Sequence, residues 1–362
     1  MSAWKYKRIT SKVIVAKMKL IDIKDLAGMV RGSFDQVHSM LMNTPYQQDI
    51  SKIPPEQLSS GTLESVLSRN FARTFNEIMD SSPKDIRRLL STVQMKFEAN
   101  AVKAMLRAKK ADLGVDDTMR YITPVGRIGE GECRELLSKS ANTEDLIKAL
   151  SDMYEYGAIL KEKSTAYKET GDLLMLETAL DKHAYYKIWK ASGKLGGLDK
   201  RIARTVLEIE IDSINIRVIL RCKALGISEN QIKNYIIPVS EFFNEKVFED
   251  SIKAVDIKSS IETMHVAARQ RMAKDHRYML NDILKEYEHS LSLSQLETVL
   301  DHSLLKTNLR MLKRYTPFFN IGLILAFLNL KWFEIRNLRT IIKGTESKIS
   351  SSRIKRLLII PD

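Results

Sequence analysis

Three copies of one two-part pattern divide the chain, and this internal repeat constrains the fold more than any local propensity does. The first part is a short run that begins with a leucine and an acid and continues with apolar residues. The glutamates of the three runs are separated by 113 and 120 residues. The runs are Leu63–Leu67, Leu176–Asp181 and Leu296–Asp301.

A second acid follows each glutamate after 34, 35 and 37 residues, at Glu98, Asp212 and Glu334. We call these three residues the marker acids. Basic residues recur five and nine positions after each marker acid, in the same order in every copy. They are Lys103 and Arg107, Arg217 and Arg221, and Arg339 and Lys343.

Each copy closes in the same way, with a glycine and then an apolar stretch that ends in proline. A glycine near the end of a helix favours a left-handed carboxyl-terminal cap, so we expect each long helix to end there. The proline follows the marker acid after 26, 26 and 27 residues. The residues are Gly114 and Pro124, Gly226 and Pro238, and Gly344 and Pro361.

The repeat is longer than the roughly 20–50 residues of a solenoid unit, so each copy is interpreted as a small helical domain. Alternating strand patterns with hairpin turns do not occur, and the predicted fold class is all-α. We divide the chain into segments 1–127, 128–240 and 241–362, which we call repeats 1, 2 and 3. Three similar domains are expected to form a ring or funnel.

The basic residues form a stripe on a helix that is otherwise apolar nearly all round. Arg217 and Arg221 are four residues apart and therefore lie on one helical face. Three interpretations stay open: the stripe pairs with carboxylates inside the protein, lines a central cavity, or is a solvated edge. Only the first predicts a strong loss of stability on Arg221→Ala, since a buried pair matters far more than an exposed one.

The residue patterns of several kinds of catalytic site are missing from the sequence. Gly193–Gly197 and Gly126–Gly131 are the sequences nearest to a phosphate-binding loop, but neither ends in Gly-Lys-Ser/Thr. The six histidines are scattered without metal-ligand spacing, and the two cysteines, Cys133 and Cys222, are far apart. The sequence therefore predicts a non-enzyme without cofactor or metal, in a reducing, cytoplasmic environment.

Net charge and hydropathy limit the classes of partner that the chain is expected to bind. The net charge of +13 suggests an acidic partner, nucleic acid or an anionic membrane surface. Nucleic acid is not favoured, because the basic residues are spread over all predicted helices and no RNA-binding motif occurs. The longest nearly uncharged run, Phe318–Leu330, has 13 residues, against the roughly 20 that span a bilayer, and predicts a buried helix.

The last third of the chain carries a resemblance to a known family. The run Glu334–Gly344 after the apolar Ile321–Leu328 resembles the end of the C subunit of archaeal and bacterial A/V-type ATP synthases, a relative of the d subunit of V-ATPases. Ser11–Leu20, Thr44–Tyr46 and Leu176–Asp181 are similar to family elements too.

Two positions depart from the repeat. Ala101 stands where the other copies have Asn215 and Asn337, and His265 is expected at the place of Tyr46 and Tyr156.

The resemblance implies a non-catalytic, single-copy rotor subunit. Such a subunit is a funnel of three pseudo-equivalent domains that sits on the proteolipid ring and receives the end of the central stalk, for proton or sodium transport. It implies a cytoplasmic location, peripheral to the cell membrane. The expected stalk contacts are Arg217, Arg221, Arg339 and Lys343. The alternative is a soluble helical scaffold that binds other proteins.

Overall fold

A computed structural model describes residues 2–153, 155–240, 242–271, 274–289, 292–316 and 320–360. The prediction of an all-α fold is confirmed, because the regular elements in these ranges are helices without any strand. Pro361, the third closing proline of the repeat, lies outside them.

Nineteen α-helices are found in the described ranges. Repeat 1 contains α1 (Ser2–Met18), α2 (Ile23–Met29), α3 (Phe34–Leu41), α4 (Gln47–Ile50), a 3-10 turn (Pro55–Gln57), α5 (Ser60–Ser81), α6 (Lys84–Lys110) and α7 (Val115–Met119). Repeat 2 contains α8 (Glu130–Lys139), α9 (Thr143–Met153), α10 (Gly157–Thr170), α11 (Leu174–Ser192), α12 (Gly197–Ala224) and α13 (Glu229–Tyr235). Repeat 3 contains α14 (Glu245–Lys253), α15 (Ile257–Gln270), α16 (Lys274–His289), α17 (Leu293–Tyr315), α18 (Ile321–Glu346) and α19 (Ser351–Leu357).

The same order of helices recurs in each repeat. Three shorter helices lead to an opening helix (α5, α11 or α17), which carries the first part of the sequence pattern. A long helix (α6, α12 or α18) follows with the marker acid and the basic stripe, and a short helix (α7, α13 or α19) ends the copy. Helix α1 precedes this arrangement and has no counterpart in the other two repeats as described.

The apolar run before the third marker acid forms the first part of α18. Asn320 caps this helix, because its side-chain oxygen accepts a hydrogen bond from the amide of Gly322 at 2.8 Å. The apolar residues from 321 to 330 are all buried. The prediction of a buried helix is thus confirmed for that part of the run, while Phe318 and Phe319 lie outside the described residues.

The long helices end differently from the expectation based on glycine. The left-handed residues at these ends are Asp112, Gly226 and Lys348, with φ of 52°, 67° and 54°. Each stands 14 positions after its marker acid, so the caps are equivalent although only one is glycine. The prediction is confirmed at Gly226 and wrong at Gly114 and Gly344, since Gly114 precedes α7 and Gly344 lies inside α18.

Hydrogen bonding and packing explain these ends. In each copy the amide that follows the left-handed residue bonds to a carbonyl five residues earlier, at 2.8–2.9 Å, as in a Schellman motif. Gly344 provides that carbonyl in repeat 3, where its role is close packing. A Cβ at this position would lie 2.7 Å from the side chain of Ile354, which belongs to α19.

The described residues form three hydrophobic cores, and these cores do not follow the proposed repeat boundaries. One core draws on all three repeats and includes the first halves of α6, α12 and α18. The second lies between Met95 and Ala184, and the third between Ile216 and Leu300. Each of these two therefore joins the end of one long helix to the next repeat. The division at residues 127 and 240 stays a prediction.

Candidate functional site

The basic stripe of α12 pairs with the opening helix of repeat 3. Arg217 donates to Asp301 at 2.6 Å, and Arg221 donates to Glu297 at 2.6 Å. Both acids belong to the first part of the sequence pattern, where they are four residues apart and share one helical face. The two side-chain pairs therefore form one junction between repeats 2 and 3.

The stripe of α6 makes the equivalent junction between repeats 1 and 2. Lys103 donates to Asp181 at 2.6 Å, and Arg107 holds Glu177 through two bonds of 2.5 Å. The acids again are the glutamate of the pattern and the aspartate four positions later. The spacing that marks the repeat in sequence thus corresponds to one repeated contact in space.

The stripe of α18 reaches back to repeat 1, where the pattern has Ser68 in place of the aspartate. Arg339 bonds to the hydroxyl of Ser68 and, at 3.1 Å, to that of Thr123. Lys343 donates to the hydroxyl of Tyr121 at 2.9 Å. Repeat 3 therefore contacts repeat 1, and the three junctions link the repeats in a closed cycle.

We call the contact between repeats 3 and 1 the closing junction. Burial shifts the pKa values of two of its charged groups. Burial lowers the pKa of Arg339 to about 10, with the carboxylate of Glu64 acting in the opposite direction. Burial raises the pKa of Glu64, and the charges of Arg339 and Lys343 oppose that rise. The hydrogen bond to Tyr121 raises the pKa of Lys343. The junction thus places the partly buried guanidinium of Arg339 near the buried carboxyl group of Glu64.

The four expected stalk contacts are not in one place. Arg217 and Arg221 belong to the junction of repeats 2 and 3, and Arg339 and Lys343 to the closing junction. The interpretation that the stripe pairs with carboxylates inside the protein matches Arg217 and Arg221. Arg339 instead bonds to hydroxyl groups. Arg221 and Lys343 are exposed, whereas the other two are partly buried.

Two marker acids are bound by tyrosines of the following repeat. The hydroxyl of Tyr156 donates to Glu98 at 3.0 Å, and that of Tyr46 donates to Glu334 at 2.7 Å. All four side chains are buried. Backbone amides also donate to these carboxylates at 2.6 Å, from Arg127 and Ile21. Each of the two carboxylates is thus tied to the repeat that follows it around the cycle.

The third marker acid, Asp212, is bound by His276, and the expectation of His265 is wrong. The Nε2 atom of His276 lies 2.9 Å from the Asp212 carboxylate, and Ser240 donates to the same oxygen at 3.0 Å. Burial raises the pKa of Asp212, opposed by His276. His276 precedes Glu297 by 21 positions, just as Tyr156 precedes Glu177 by 21, so the imidazole at the start of α16 takes the place of that tyrosine.

Comparison with known proteins gives the chain a family. The family model described as "ATP synthase (C/AC39) subunit" matches residues 9–357, which include all three junctions and all three marker acids. The chain belongs to this ATP synthase family. The resemblance seen in the sequence is thereby confirmed.

Relatives from methanogenic archaea match nearly the full length. The C subunit of the A-type ATP synthase of Methanocaldococcus jannaschii is 25% identical, and the match covers 98% of this chain and 86% of the relative. The protein of the same name from Methanosphaera stadtmanae is 26% identical over 94% of this chain and 84% of the relative. That of Methanosarcina acetivorans is 20% identical over 98% and 93%.

Membership of this family makes the chain a non-catalytic part of the ATP synthase. In the described ranges, no cluster of three or more His, Cys, Asp or Glu side chains is arranged to hold a metal ion. No helix in these ranges is long and apolar enough to span a bilayer. Cys133 and Cys222 are buried free thiols, and burial raises the pKa of Cys133 to about 12.

A polar contact in the shared core is not apparent from the sequence. Lys96 of α6 donates to Glu210 of α12 at 2.8 Å, and Asn329 of α18 lies 3.4 Å from the same ammonium group. Tyr185 also donates to Glu210, at 2.8 Å. Lys96 and Glu210 occupy equivalent positions, two residues before their marker acids. Because the residue types differ, a search for repeated residues passes over this contact.

Asparagine side chains fix the end of two repeats. Asn215 exchanges two hydrogen bonds with the backbone of Ile237, at 2.8 and 3.0 Å. Asn337 does the same with Ile359, at 2.6 and 2.8 Å. Ala101, at the equivalent position in repeat 1, has no group that makes this contact. The departure noted in the sequence therefore corresponds to a missing backbone tie.

Proposed function

We propose that this chain is the rotor subunit of an A-type ATP synthase that couples the central stalk to the proteolipid ring. The observation that carries the proposal is the family match over residues 9–357. Relatives that match nearly the whole chain bear the name of the C subunit of this complex. The proposed complex uses ATP to drive proton or sodium transport, or uses that transport to make ATP.

The three junctions between the repeats suit a subunit that transmits torque and catalyses no reaction itself. A socket between a stalk and a ring must resist twisting, and the junctions join all three repeats through opposed charges or through hydrogen bonds to hydroxyl groups. The inner pairs, Arg217 with Asp301 and Lys103 with Asp181, are partly buried, so breaking either should cost more than the roughly 0–1 kcal/mol of an exposed pair. The junctions thus favour a rigid body.

The four stripe residues take two roles in this proposal. Arg221 and Lys343 are exposed, so they are able to contact the stalk while bound to their neighbours. Arg217 and Arg339 are more buried and hold the junctions that position the exposed pair. We therefore assign stalk contact to Arg221 and Lys343 and a positioning role to Arg217 and Arg339.

The proposal includes the location and number of copies. One copy of the chain sits on the cytoplasmic face of the ring and is held at the cell membrane through the complex. A single copy with pseudo-threefold symmetry presents three similar but unequal surfaces, which suits contact with one stalk on one side and a multi-copy ring on the other.

Coupling in reconstituted vesicles tests this function. The complete ATP synthase is assembled with or without the chain, and ATP hydrolysis and ion uptake are measured in the same vesicles. We expect hydrolysis without ion uptake when the chain is absent. Equal ion uptake in both preparations would contradict the proposed role.

A charge swap tests the stalk contact separately. The double variant Arg221→Glu with Glu297→Arg retains an opposed pair, so stability should change by no more than about 1 kcal/mol. If Arg221 contacts the stalk, ion uptake per ATP hydrolysed should fall in this variant. Unchanged coupling would remove Arg221 from the contact surface without affecting the family assignment.

A further inference from the structure

Helix α1, which has no counterpart in repeats 2 and 3 as described, is anchored where two long helices begin. The ammonium group of Lys5 lies 2.6 Å from a carboxylate oxygen of Asp85 and 2.9 Å from one of Asp199. Asp85 is in the first turn of α6, and Asp199 is in the first turn of α12. One lysine therefore bridges repeats 1 and 2.

The two aspartates are equivalent, because each precedes its marker acid by 13 positions. The residue at that distance in repeat 3 is Ile321, the first residue of α18. The buried Tyr6 is next to Lys5, and its pKa is raised by burial and by Asp199 and Asp85, with the backbone of Ile321 acting in the opposite direction. Residues 5 and 6 thus cover the point where all three long helices begin.

The opposite face of α1 is exposed and carries three apolar side chains, with the exposed Ser11 between them. Trp4 and Met18 are each 80% exposed, and Val15 is 52% exposed. With 3.6 residues per turn, these three side chains lie within an arc of about 60°. On the other face Tyr6, Ile9 and Val13 are fully buried. The helix is therefore apolar on two faces, of which only one packs on the described part of the protein.

Cations flank the exposed apolar strip on both sides. Lys7 lies on one side, and Arg8, Lys12 and Lys19 lie on the other, all of them exposed. The ammonium group of Lys7 is 4.9 Å from the centre of the Trp4 ring. No acid occurs before Asp22. The face thus combines apolar side chains with basic residues and lacks carboxylates of its own helix.

This combination matches the chemistry of an anionic bilayer surface. Helices that lie in the membrane interface place tryptophan and aliphatic side chains at the boundary of the acyl chains and lysine or arginine among the headgroups. Each basic residue near an anionic leaflet contributes about 1 kcal/mol of attraction. A face on which three apolar side chains and one serine lie between cations, over three or more helical turns, suits a diffuse negative surface.

We propose that the exposed face of α1, centred on Trp4, Val15 and Met18, binds anionic phospholipid headgroups. The inference deepens the proposed function, because it identifies the end of the protein at which the three long helices begin as the membrane-facing end. It rests on the proposed function for this orientation only, since lipid binding is a property of the isolated chain.

Sedimentation with lipid vesicles tests the proposal. The purified chain is mixed with phosphatidylcholine vesicles that contain or lack phosphatidylglycerol. We expect binding only when the anionic lipid is present. The triple variant Lys7→Gln, Arg8→Gln and Lys19→Gln should reduce the partition coefficient roughly 100-fold, as three lost attractions of about 1 kcal/mol imply. Trp4→Ser with Met18→Ser should also weaken binding, and circular dichroism checks that each variant is folded.

A matched control removes the same charge elsewhere. Arg353, Lys355 and Arg356 are exposed on α19, and their triple substitution by glutamine should leave most of the vesicle binding. An equal loss in this control would overturn the proposal, since binding would then follow net charge alone. No binding of the unmodified chain to anionic vesicles would overturn it too.

Assembly with the detergent-solubilised proteolipid ring separates the two proposals. If the chain binds the ring but not lipid vesicles, and the α1 variants lose the ring, the face is a protein contact and the lipid proposal is overturned. The proposed function then stands. If the chain binds anionic vesicles through α1 but neither ring nor stalk, the lipid site stands and the proposed function fails.

Discussion

The junction between repeats 2 and 3 and the junction that closes the cycle use the same positions with different chemistry. In the first, Asp301 accepts hydrogen bonds from Arg217 at 2.6 Å and from Arg336 at 2.8 Å. In the second, the equivalent residue is Ser68, whose hydroxyl group accepts a bond from Arg339. The closing junction thus keeps the glutamate of the pattern, Glu64, but lacks the aspartate that binds the stripe in the other two junctions.

The two junctions also differ in chain connectivity. Repeat 2 is continuous with repeat 3, whereas repeats 3 and 1 meet without a covalent link between them. The closing junction has other buried contacts that compensate: Lys331 donates to Glu334 at 2.6 Å and to Tyr46 at 2.7 Å. Glu346 also accepts a bond of 2.7 Å from the amide of Ser60. Repeats 3 and 1 are therefore held together by the contacts of the marker acid Glu334 more than by those of the basic stripe.

The largest expected effect comes from removing the carboxylate where it exists. Asp301→Ala leaves two guanidinium groups without their shared acceptor and should lower the free energy of unfolding by about 3 kcal/mol. Ser68→Ala, at the equivalent position, should cost only about 1 kcal/mol. Urea denaturation of both variants measures the difference. Equal losses would show that the two junctions are held in the same way.

Acid should affect the two junctions in opposite directions. Burial alone would raise the pKa of Asp301, but the charges of Arg336 and Arg217 outweigh it and the pKa is lowered. A lowered pKa gives stability that is present above the unfolded pKa and lost as pH falls through the folded one. The pKa of Glu64 is raised by burial, so stability is lost as pH rises through its folded value.

Two amide variants separate these contributions. Relative to the unmodified chain, Asp301→Asn should lose more stability at pH 7 than at pH 3. Glu64→Gln should gain more stability at pH 7 than near pH 4. Both pH ranges follow from the ordinary carboxyl pKa of about 4 in the unfolded chain. The measurement is the urea midpoint as a function of pH. Curves of the same sign for both variants would contradict the electrostatic account.

A smaller effect is expected from giving the closing junction its missing carboxylate. Ser68→Asp places an acid beside Arg339, just as Asp181 and Asp301 stand beside the stripes of α6 and α12. We expect a gain of about 1 kcal/mol in unfolding free energy, partly offset by the cost of burying the new charge. Ser68→Asn is the matched control and should give no gain. A loss in Ser68→Asp larger than in Ser68→Asn would oppose the equivalence.

The smallest effect is expected at the exposed end of the stripe. Lys343→Gln removes the bond to Tyr121 and should change stability by less than about 1 kcal/mol, because exposed contacts contribute little. If Lys343 contacts the stalk, the same variant should still lower ion uptake per ATP hydrolysed. Thermal unfolding and vesicle coupling measure the two properties independently, and a large stability loss would show that the residue is structural.

The repeat spacing is enough to predict the fold class and the equivalent positions of the stripes. Pairing between repeats is one of several interpretations at that level, since spacing shows which residues are equivalent but not which neighbour they face. The left-handed caps at Asp112 and Lys348 escape prediction because neither residue is glycine. His276 escapes a search for repeated residue types because it is a histidine where the other copies have Tyr46 and Tyr156, although it precedes Glu297 by the same 21 positions by which Tyr156 precedes Glu177.

The contact between Lys96 and Glu210 cannot be found by searching for repeated residues. Equivalent positions near the meeting point of three repeats face one another, so a single residue type there would place like groups together. A lysine in one copy and a glutamate in the next satisfy each other instead. The anchoring of Lys5 is hidden for a related reason, because α1 lies outside the repeat and no second copy marks its partners.

Native mass spectrometry of the reconstituted assembly tests the central claim most directly. The purified chain is mixed with the stalk subunits and the detergent-solubilised proteolipid ring, and the mass of each complex gives its composition. The rotor proposal predicts a complex that contains one copy of the chain together with both partners. A chain that binds neither partner would contradict the proposal and favour a soluble scaffold.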